Sequence, residues 1–562
     1  MSLYDVIIIG GGLAGCSLAI QLKRQSPDLS ILIIDKRNQA RPVATHKVGE
    51  STVELGTYYL RHTLGLKEYL DNNELPKYGL RFFLSPGYKN DITKRAEYGP
   101  KGPLPVKSHQ LDRGKFESYL EQRAKELGAE LLMGAIVKEV MLDEEPHILQ
   151  VTSNGIKEEY RARWIVDATG RGRLLQRKNR LMKSTGHKIN AAWFRVKGDI
   201  DIDDFSDDSE WRGKFDPGVR RLSTIHLMDK GYWVWMIPLS SHNTSIGIVA
   251  DPRIHPFEQF NSLDKAFDWL SRNEPQAHKL LAPKQDEVMD FKVLKHYSHH
   301  CQQVYSNQRW AITGEAGPFL DPLYSPGTDF IAINNTIITD LIQRDLQGED
   351  IDLRKEVYEK TYLSVVDNWI PIYKDKYPLM GFTQTMVAKI TWDWAYYWAF
   401  LSLLFINGGF TNLRVLKELF SSNTSTGRQL NALNQNVQNM FVAFSHYDTE
   451  DCPNAYVDPI DLPSVKYFYD DLDHQYNGNE LIGKIQQNCS VLEQYAAELY
   501  RRFSSIAHGT SYDIDVDPYS MDLQQNRNFA GDQCSSDHVK SFDCGIADEI
   551  DHIWLYSGVG VT

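Results

Sequence analysis

Cysteine is scarce in this chain and poorly placed for cross-linking. The six cysteines among 562 residues are widely scattered, and no two of them form a C-x-x-C pair. Such spacing gives no support for a disulfide framework or for a cysteine-based zinc site. We therefore expect a reduced, cytoplasmic protein without a structural metal.

Excess positive charge and a targeting segment are also lacking. There are 61 Lys and Arg residues against 74 Asp and Glu residues, which gives a formal net charge of −13. That balance argues against a nucleic-acid-binding face. The N-terminal stretch MSLYDVIIIGGG has no basic flank, and its apolar run is too short for a signal peptide or a membrane span.

Long uninterrupted apolar runs are missing as well. The strongest candidate, TMVAKITWDWAYYWAFLSLLFINGGF at residues 385–410, is interrupted by Lys389 and Asp393. A charge near the middle of a membrane span is costly, so this stretch predicts a buried or groove-lining helix. A helix that contacts a membrane surface is the alternative, but we expect no membrane association.

What the sequence does contain begins with a glycine-rich turn. Residues 4–37 predict a strand, a turn, a helix and a second strand; Gly10, Gly12 and Gly15 match G-x-G-x-x-G, and Asp35 ends the second strand. The first glycine permits the tight turn, the second lets backbone amides approach a pyrophosphate, and the third lets helix and strand pack closely. The acidic residue accepts from ribose hydroxyls. The full pattern predicts a dinucleotide site.

Three later segments favour FAD as the dinucleotide. Residues 108–131 are an arginine-bearing entry into an amphipathic helix, residues 162–175 are a buried strand ending in an Asp-Ala-Thr-Gly turn, and residues 308–342 predict a strand, a Gly-Glu turn, a loop and a helix. With the glycine turn they resemble the FAD-binding fold of flavoprotein monooxygenases. No second glycine fingerprint follows a strand, so no dedicated NAD(P)H domain is predicted. The residues expected to contact FAD are Gly10, Gly12, Leu13, Ala14, Gly15, Asp35, Lys36, Val48, Glu50, Ser51, Arg113, Asp167, Glu315 and Thr328.

The predicted fold class is α/β: a Rossmann-type FAD-binding fold with an inserted, mostly antiparallel β-sheet and a helical C-terminal region. Alternating segments such as INAAWFRVKG place the inserted sheet at about residues 180–300, within a core of residues 1–344. Helical patterns with aromatic clusters cover residues 345–506, which we expect to lie on the substrate side. Polar, glycine-containing stretches predict a poorly structured tail over residues 507–562.

Three further motifs narrow the family. Residues 48–52 have the sequence Val-Gly-Glu-Ser-Thr, Lys77 precedes an apolar strand, and residues 233–238 have the pattern W-x-W-x-I-P. Together they resemble the motifs of flavin-dependent halogenases, over the part of the chain before residue 340. One departure is Tyr232, which stands where that family commonly has glycine.

This resemblance implies a two-component enzyme. FADH2, supplied by a separate NAD(P)H:flavin reductase, reacts with O2 and chloride or bromide to give a hypohalous acid. A tunnel brings that acid to Lys77, the implied catalytic residue, which hydrogen-bonds it or forms an N-haloamine and presents electrophilic halogen to one carbon. Lysine suits this task because its amine carries donors on a flexible stem and loses its charge readily when buried. A solvated lysine at a strand entrance is the structural alternative.

The paired tryptophans have a role in the same family. Alternation places Trp233 and Trp235 on one face of a strand. In the halogenases such indoles line the flavin compartment, where their bulk keeps an organic substrate away from the flavin while halide enters. We therefore expect Trp233, Trp235, Ile237 and Pro238 to wall a flavin chamber. Filling an ordinary core is the alternative.

The loop DPLYSPGTDF supplies the halide and substrate candidates. It precedes a helix that begins near Thr328, and the N-terminal amides of a helix favour an anion. Ser325, Gly327 and Thr328 are the predicted halide ligands, although Pro326 offers no N–H donor where tryptophan halogenases have threonine. Those enzymes have a glutamate at the position of Tyr324 that helps to activate the indole ring. We therefore predict that Tyr324 contacts the substrate and that the substrate ring needs no activation by a carboxylate.

The predicted function is halogenation of an electron-rich ring of phenol or pyrrole type, either free or tethered to an acyl or peptidyl carrier protein. Two alternatives stay open: an FAD-dependent aromatic hydroxylase, and a non-catalytic, membrane-associated flavoprotein. The hydroxylase would bind substrate against the flavin and need no halide, whereas Lys77 and the paired tryptophans favour halogenation.

Overall fold

The computed structural model describes residues 3–42, 49–84, 87–422, 424–449, 452–509, 516–523 and 545–555. Its strands are β1 (Leu3–Ile9), β2 (Ile31–Asp35), β3 (Leu75–Lys77), β4 (Leu80–Leu84), β5 (Ala96–Tyr98), β6 (Ser108–Gln110), β7 (Glu130–Met133), β8 (Ala135–Met141), β9 (His147–Ser153), β10 (Ile156–Asp167), β11 (Met182–Lys183), β12 (Asn190–Lys197), β13 (Thr224–Asp229), β14 (Tyr232–Pro238), β15 (Asn243–Ala250), β16 (Val288–Leu294), β17 (His300–Cys301), β18 (Tyr305–Ser306), β19 (Trp310–Ile312) and β20 (Tyr456–Val457). Its α-helices are α1 (Leu13–Gln25), α2 (Glu54–Tyr58), α3 (Lys67–Asn73), α4 (Arg113–Glu126), α5 (Leu174–Lys178), α6 (Ser209–Arg212), α7 (Leu263–Asn273), α8 (Pro275–Leu281), α9 (Gly327–Leu346), α10 (Asp352–Tyr373), α11 (Thr383–Tyr396), α12 (Leu403–Ile406), α13 (Leu413–Phe420), α14 (Thr426–Phe444), α15 (Pro463–Asp470), α16 (Gly478–His508) and α17 (Ile546–Ile553).

The first sheet is largely parallel and carries the glycine turn. Its strand order is β18-β19-β10-β1-β2-β7, and β8 and β9 form an antiparallel extension from β10. Strands β1, β2, β7, β10 and β19 are parallel, and β1 is buried from Val6 to Ile9, as expected of a parallel strand covered on both faces. Because parallel strands end at the same edge of a sheet, the turns that follow β1, β2, β10 and β19 meet there.

The second sheet has the order β16-β12-β15-β14-β13-β4-β5-β20. Its pairs are antiparallel except for β13 with β4 and β20 with β5. Along β14, Trp233 and Trp235 pack into the main core, whereas Tyr232 and Val234 pack into a second core with α7 and α8. The predicted α/β class with an inserted, mostly antiparallel sheet is confirmed.

The region from α10 to α16 is mainly helical; α10 contacts β18 of the first sheet, and the segment Tyr377–Gly381 contacts β13 and β14 of the second. Helix α11 is buried along its whole length, and its residues Lys389 and Asp393 form a salt bridge with each other. Among the residues that the structure describes, no helix is long and apolar enough to cross a membrane. The prediction of a buried helix at residues 385–410 is therefore confirmed. Strand β20 lies inside this region and joins the second sheet, which the helical pattern did not predict.

The C-terminal segment is more ordered than predicted. Helix α16 continues to His508, and α17 contacts α11, α15 and α16. The side chain of Gln384 donates to the Ile553 carbonyl and accepts from the Leu555 amide. The prediction of a poorly structured tail is thus wrong for α17, because Ile546, Ile550 and Ile553 form a buried stripe too short to stand out in a polar segment.

Candidate active site

The three glycines of the first turn have different surroundings. Gly10 has a φ of +113°, and a Cβ there would lie 2.3 Å from the Ala168 carbonyl oxygen. A Cβ on Gly15 would lie 2.0 Å from the Gly10 carbonyl oxygen, so both positions require glycine. At Gly12 the nearest atom to such a Cβ is Glu117 Oε2, 4.0 Å away, which leaves open space at the N-terminus of α1. This combination fits a dinucleotide pyrophosphate lying against the helix amides.

Two predicted carboxylates hold turns at the edge of the first sheet. Asp35 accepts from the amides of Gly11 at 2.7 Å and Arg37 at 2.8 Å. Asp167 is buried and accepts from the Leu175 amide at 2.7 Å, so it faces its own turn. Asp167 thus holds the turn that follows β10. Its contribution to FAD binding stays a prediction.

Three other residues predicted to contact FAD are Ala14, Lys36 and Val48. Ala14 is buried in the first turn of α1, and its carbonyl accepts from the Asn335 side chain. Lys36 is exposed after β2. Val48 lies outside the described residues.

Six of the fourteen predicted flavin contacts line one cavity, called the cofactor cavity below, whose empty volume is about 940 Å³ including its opening to solvent. Its walls come from the glycine turn, the loop before α2, β13, β14, the loop after β19 and the start of α9. The lining residues are Leu13, Gly49, Glu50, Ser51, Arg113, Thr224, His226, Trp233, Trp235, Ile237, Gly314, Glu315, Pro318, Phe319, Leu320, Asp321, Pro322, Ser325, Pro326, Gly327, Thr328, Phe330 and Ile331.

The charged groups of this cavity are tied in place by ion pairs. Arg113 forms an ion pair with Glu117 and donates to the Gly49 carbonyl at 3.1 Å. Glu50 accepts from Arg195 at 2.7 Å. Burial raises the pKa of Glu50, and the Arg195 charge opposes that rise. Fixed polar groups beside an open volume suit a large polar cofactor such as FAD.

The paired tryptophans form one wall of the cofactor cavity. Their ring centroids are 5.6 Å apart, and the Trp235 indole donates to Ser245 at 3.1 Å. Ile237 continues the same face, as the two-residue period requires. Pro238 lies on the other face at the end of β14 and does not line the cavity, so its place in the predicted wall is corrected.

Glycine on the neighbouring strand makes room for this wall. Gly247 of β15 is the register partner of Trp235, and a Cβ there would lie 2.1 Å from the indole. The missing side chain lets the indole lie across the sheet. A glycine inside the strand pattern TSIGIVAD was the available sequence signal.

A buried carboxylate, which the sequence did not single out, supports the wall from behind. Asp321 accepts from His187 at 2.6 Å, from Tyr377 at 2.9 Å and from Tyr297 at 3.1 Å. The Tyr377 hydroxyl in turn accepts from the Trp233 indole at 3.0 Å. The wall is thereby fixed to the loop that carries the predicted halide ligands.

A second cavity of about 650 Å³ adjoins the first and is called the substrate cavity below. Its lining is mainly apolar and aromatic, with four charged residues among them. The lining residues are Val53, Glu54, Lys77, Gly79, Leu80, Leu104, Ser108, Tyr324, Pro326, Asp329, Phe330, Trp369, Ile372, Asp393, Trp394, Tyr397, Trp398 and Leu401.

Lys77 is buried in the substrate cavity, with 3% of its surface exposed. Strand β3 ends at this residue, and its Nζ donates to the Thr52 carbonyl at 2.6 Å. Burial lowers the pKa of Lys77 to about 7, against opposing attraction from Glu54 and Asp329. The amine is therefore available in both protonation states near neutral pH. A solvated lysine at a strand entrance is excluded.

Tyr324 and Ser325 turn the chain between the two cavities. Both have positive φ, 69° and 61°, a conformation that costs about 1–3 kcal/mol for a residue other than glycine. As a result Tyr324 lines the substrate cavity and Ser325 lines the cofactor cavity. The Tyr324 hydroxyl donates to Asp393 at 2.9 Å, and Asp393 also accepts from Gln438 at 2.7 Å.

The first turn of α9 separates the cavities. Thr328 lines the cofactor cavity and Asp329 lines the substrate cavity, while Pro326 and Phe330 line both. Pro326 is the N-cap and provides no side-chain hydrogen bond, so the amides of Gly327 and Thr328 have no partner within the helix. The predicted halide ligands lie at this helix terminus, and their role stays a prediction.

Sequence reasoning missed the acidic residues of the substrate cavity. Glu54 and Asp329 carry no motif, and Asp393 drew notice only as a charge that interrupts an apolar run. Burial raises the pKa of all three carboxyls. Buried carboxylates beside a lysine in one cavity are typical of a reaction site.

Comparison with known proteins agrees with this geometry. Residues 5–392 match the model of the FAD dependent oxidoreductase family. A flavin-dependent halogenase, chlA of Dictyostelium discoideum, is 29% identical in an alignment of 461 positions that covers 76% of this chain and 74% of that protein. The 1H-pyrrole-2-carbonyl-[peptidyl-carrier protein] brominase of Pseudoalteromonas luteoviolacea (strain 2ta16) is 26% identical over 62% of this chain and 79% of its own length.

Solved structures support the fold. The flavin-dependent halogenase CmlS has a TM-score of 0.54 at 18% identity, covering 92% of this chain and 75% of its own. The halogenase PltM in complex with phloroglucinol and FAD has a TM-score of 0.57 at 17% identity, covering 86% of this chain and 96% of its own. The family match includes the glycine turn and Lys77 itself. The chain therefore belongs to the FAD dependent oxidoreductase family and, within it, to the flavin-dependent halogenases that use FAD and halide to halogenate aromatic rings.

Proposed function

We propose that the chain makes a hypohalous acid in the cofactor cavity and transfers its halogen, through Lys77, to an electron-rich ring in the substrate cavity. The observation that carries this proposal is the position of Lys77. Its amine is buried in a cavity that shares Pro326 and Phe330 with the cavity of the flavin motifs. Besides its hydrogen bond to the Thr52 carbonyl, this buried and readily deprotonated amine lines the cavity.

The cofactor cavity would hold FAD at the glycine turn, Asp35, Arg113, Glu50, Ser51 and Glu315. Bound FADH2 would supply two electrons, so that O2 and chloride or bromide yield hypohalous acid and water. Ser325, Gly327 and Thr328 would bind the halide at the N-terminus of α9, where the dipole favours an anion. Trp233 and Trp235 would keep the ring out of this cavity.

Lys77 would hold the hypohalous acid next to the ring. An ammonium donates hydrogen bonds to the acid's oxygen, and the neutral amine can form an N-haloamine; a pKa near 7 makes both states accessible. Arginine would be a poor substitute because it stays charged. The reaction is electrophilic aromatic substitution, which favours rings rich in electrons.

The ring is of phenol or pyrrole type. Tyr324 replaces the glutamate that tryptophan halogenases have at this position, and its hydroxyl is already committed to Asp393. The curated brominase named above acts on a pyrrole tethered to a peptidyl carrier protein, which supports a carrier-tethered pyrrole as one form of the substrate. A free phenol is the other form, and the mainly apolar and aromatic lining of the cavity suits its ring.

A separate NAD(P)H:flavin reductase would supply FADH2. The sequence shows one glycine fingerprint and no second one after a strand. NADH alone should therefore give no turnover, whereas added reductase should. Steady NADH oxidation by the purified chain would contradict a two-component system.

The test is a reductase-coupled reaction with chloride or bromide and a panel of phenols, pyrroles, a carrier-tethered pyrrole and indoles, analysed by mass spectrometry. Lys77→Ala should lose halogenated product by at least a hundredfold and retain FAD binding. Lys279→Ala, at an exposed lysine, is the matched control and should behave as wild type. Halogenation by Lys77→Ala, or hydroxylated products from the wild type without halide, would overturn the proposal.

A further inference from the structure

Of the three carboxylates that line the substrate cavity with Lys77, two have no place in the reaction described so far. Glu54 and Asp329 both line the cavity, and both attract the Lys77 ammonium. The position at which tryptophan halogenases carry an activating glutamate holds Tyr324 here, with its hydroxyl bound to Asp393. A group that removes a proton from the ring system must therefore come from another element.

Asp329 is held in one orientation at the boundary between the cavities. Its Oδ1 accepts from the Gly56 amide at 2.8 Å, and its Oδ2 accepts from the Tyr397 hydroxyl at 2.9 Å. A Cβ at residue 56 would lie 2.8 Å from Oδ1, so glycine there admits the carboxylate. Each carboxylate oxygen keeps a second lone pair for another donor.

The two acids differ in how they are fixed. Asp329 is anchored from α2 and from the aromatic segment after α11, and it lies next to Thr328 of the cofactor cavity. Glu54, the first residue of α2, attracts Lys77 more strongly than Asp329 does. Asp329, whose two carboxylate oxygens are both held by hydrogen bonds, is therefore the better placed of the two acids to meet a substrate.

We propose that Asp329 is a catalytic residue that accepts the hydroxyl proton of a phenolic substrate while Lys77 presents halogen to a carbon ortho or para to that hydroxyl. The inference rests on the proposed function of Lys77 and narrows its substrate class. A fixed carboxylate acceptor in an apolar cavity favours a ring that carries a hydrogen-bond donor, and a phenolic hydroxyl gives up its proton to it far more readily than a pyrrole N–H does.

The step balances within the cavity. The phenol O–H bond breaks and its proton goes to Asp329, while a π electron pair of the ring forms the new carbon–halogen bond. The halogen–oxygen bond of the hypohalous acid breaks with its electron pair on oxygen, which takes a proton from the Lys77 ammonium and leaves as water. The ring carbon then gives its proton to the Lys77 amine, and Asp329 returns its proton to the ring oxygen.

Both groups titrate near neutral pH, where the reactive pair of Asp329 carboxylate and Lys77 ammonium is a minor protonation state. Burial raises the pKa of Asp329 to about 8, although its hydrogen bonds from Tyr397 and Gly56 oppose the rise, and Glu54 adds to it. Burial lowers the pKa of Lys77 to about 7. A carboxylate with a raised pKa is a stronger base towards a phenol than an exposed aspartate.

The experiment compares Asp329→Asn with the wild type on resorcinol and on its fluorinated analogues, which lose the hydroxyl proton progressively more easily at similar size. With resorcinol, kcat should fall by about 10²–10⁴-fold, the usual contribution of a general base. The ratio of wild-type to variant kcat should shrink steadily as the phenol becomes more acidic, because an ionised phenol needs no base. Glu54→Gln is the comparison variant, and its ratio should not follow phenol acidity.

A ratio that stays constant along the series would overturn the inference, as would a wild type that halogenates pyrroles and no phenol. Halogenation of resorcinol dimethyl ether by the wild type at the rate of resorcinol would overturn the inference as well. This measurement needs no variant. If Asp329→Asn does not fold, the wild-type pH profile replaces it: the acidic limb seen with resorcinol should vanish with the most acidic phenol, and its persistence would refute the role. Full activity of Lys77→Ala in the same assay would instead refute the proposed function.

Discussion

The two cavities of this enzyme are lined by different parts of the protein. The cofactor cavity is enclosed by strand ends, turns and backbone amides of two sheets, and its side chains are fixed by hydrogen bonds such as that from Trp233 to Tyr377. The substrate cavity is enclosed largely by side chains from helices and loops, with charges placed singly among aromatic rings. Under the proposed function, backbone geometry would define where the oxidant is made, and side-chain identity would define the ring that it reaches.

The largest effect expected from this contrast concerns the glycine turn. Gly15→Ala should disrupt the first sheet and abolish FAD binding, because the new Cβ would lie 2.0 Å from the Gly10 carbonyl oxygen. Overpacking of this kind costs about 1–3 kcal/mol or more. Thermal unfolding and flavin titration measure both losses. Gly12→Ala, with 4.0 Å of clearance, should keep the stability and weaken FAD binding; equal unfolding of both variants would refute the distinction.

The tryptophan wall should give the next largest effect. Trp233→Leu should remove about 3 kcal/mol of stability and open the wall, so that the share of halogenated product falls and hydroxylated product appears. Mass spectrometry of the products measures this change. Tyr232→Leu removes an aromatic ring of comparable burial from the opposite face of β14, so it should lower stability and leave the product profile unchanged. The same profile in both variants would contradict the barrier role.

A smaller, pH-dependent effect separates Lys77 from ordinary core residues. Its folded pKa, about 7, lies below the usual 10.5, so the unfolded chain binds more protons between these values and wild-type stability gains as pH rises through that window. Lys77→Met should therefore be more stable than the wild type below pH 7, and its advantage should shrink towards pH 10.5. Denaturant unfolding across this range measures the difference; a constant advantage would contradict the buried amine.

The smallest effects come from the turn between the cavities. Tyr324→Phe removes the donor to Asp393 at a cost of about 1 kcal/mol, and it should raise the KM for the arene several-fold without changing that for halide. Ser325→Ala is the matched variant on the other side of the turn and should change the KM for halide alone. Steady-state kinetics with each substrate varied in turn decides the matter, and a shift of both constants in either variant would refute the separation.

Much of the cofactor side could be predicted from the sequence because its signals are local. The glycine spacing, the alternation of Trp233 and Trp235 and the start of α9 each fall within a short window, and each lies as predicted in the structure. Pro238 was misplaced because it lies one residue off that alternation. Helix α17 was missed because eight residues give a weak pattern.

The substrate side could not be predicted in the same way. Lys77 was found through a family motif, but Asp329 stands 252 positions further along the chain (329 − 77). Their meeting depends on the packing of β3, α2 and α9, which no local pattern reports. Asp393 was noted as a charge that interrupts an apolar run, and only the tertiary structure shows that it accepts a hydrogen bond from Tyr324.

The first turn of α9 has a consequence for how the halide and the arene influence each other's binding. Thr328 and Asp329 are adjacent in sequence and line opposite cavities, so a shift of this helical turn caused by a ligand in one cavity would also be felt in the other. Binding of an arene would then alter the affinity for chloride or bromide, and thermodynamic reciprocity requires the anion to alter the affinity for the arene by the same factor.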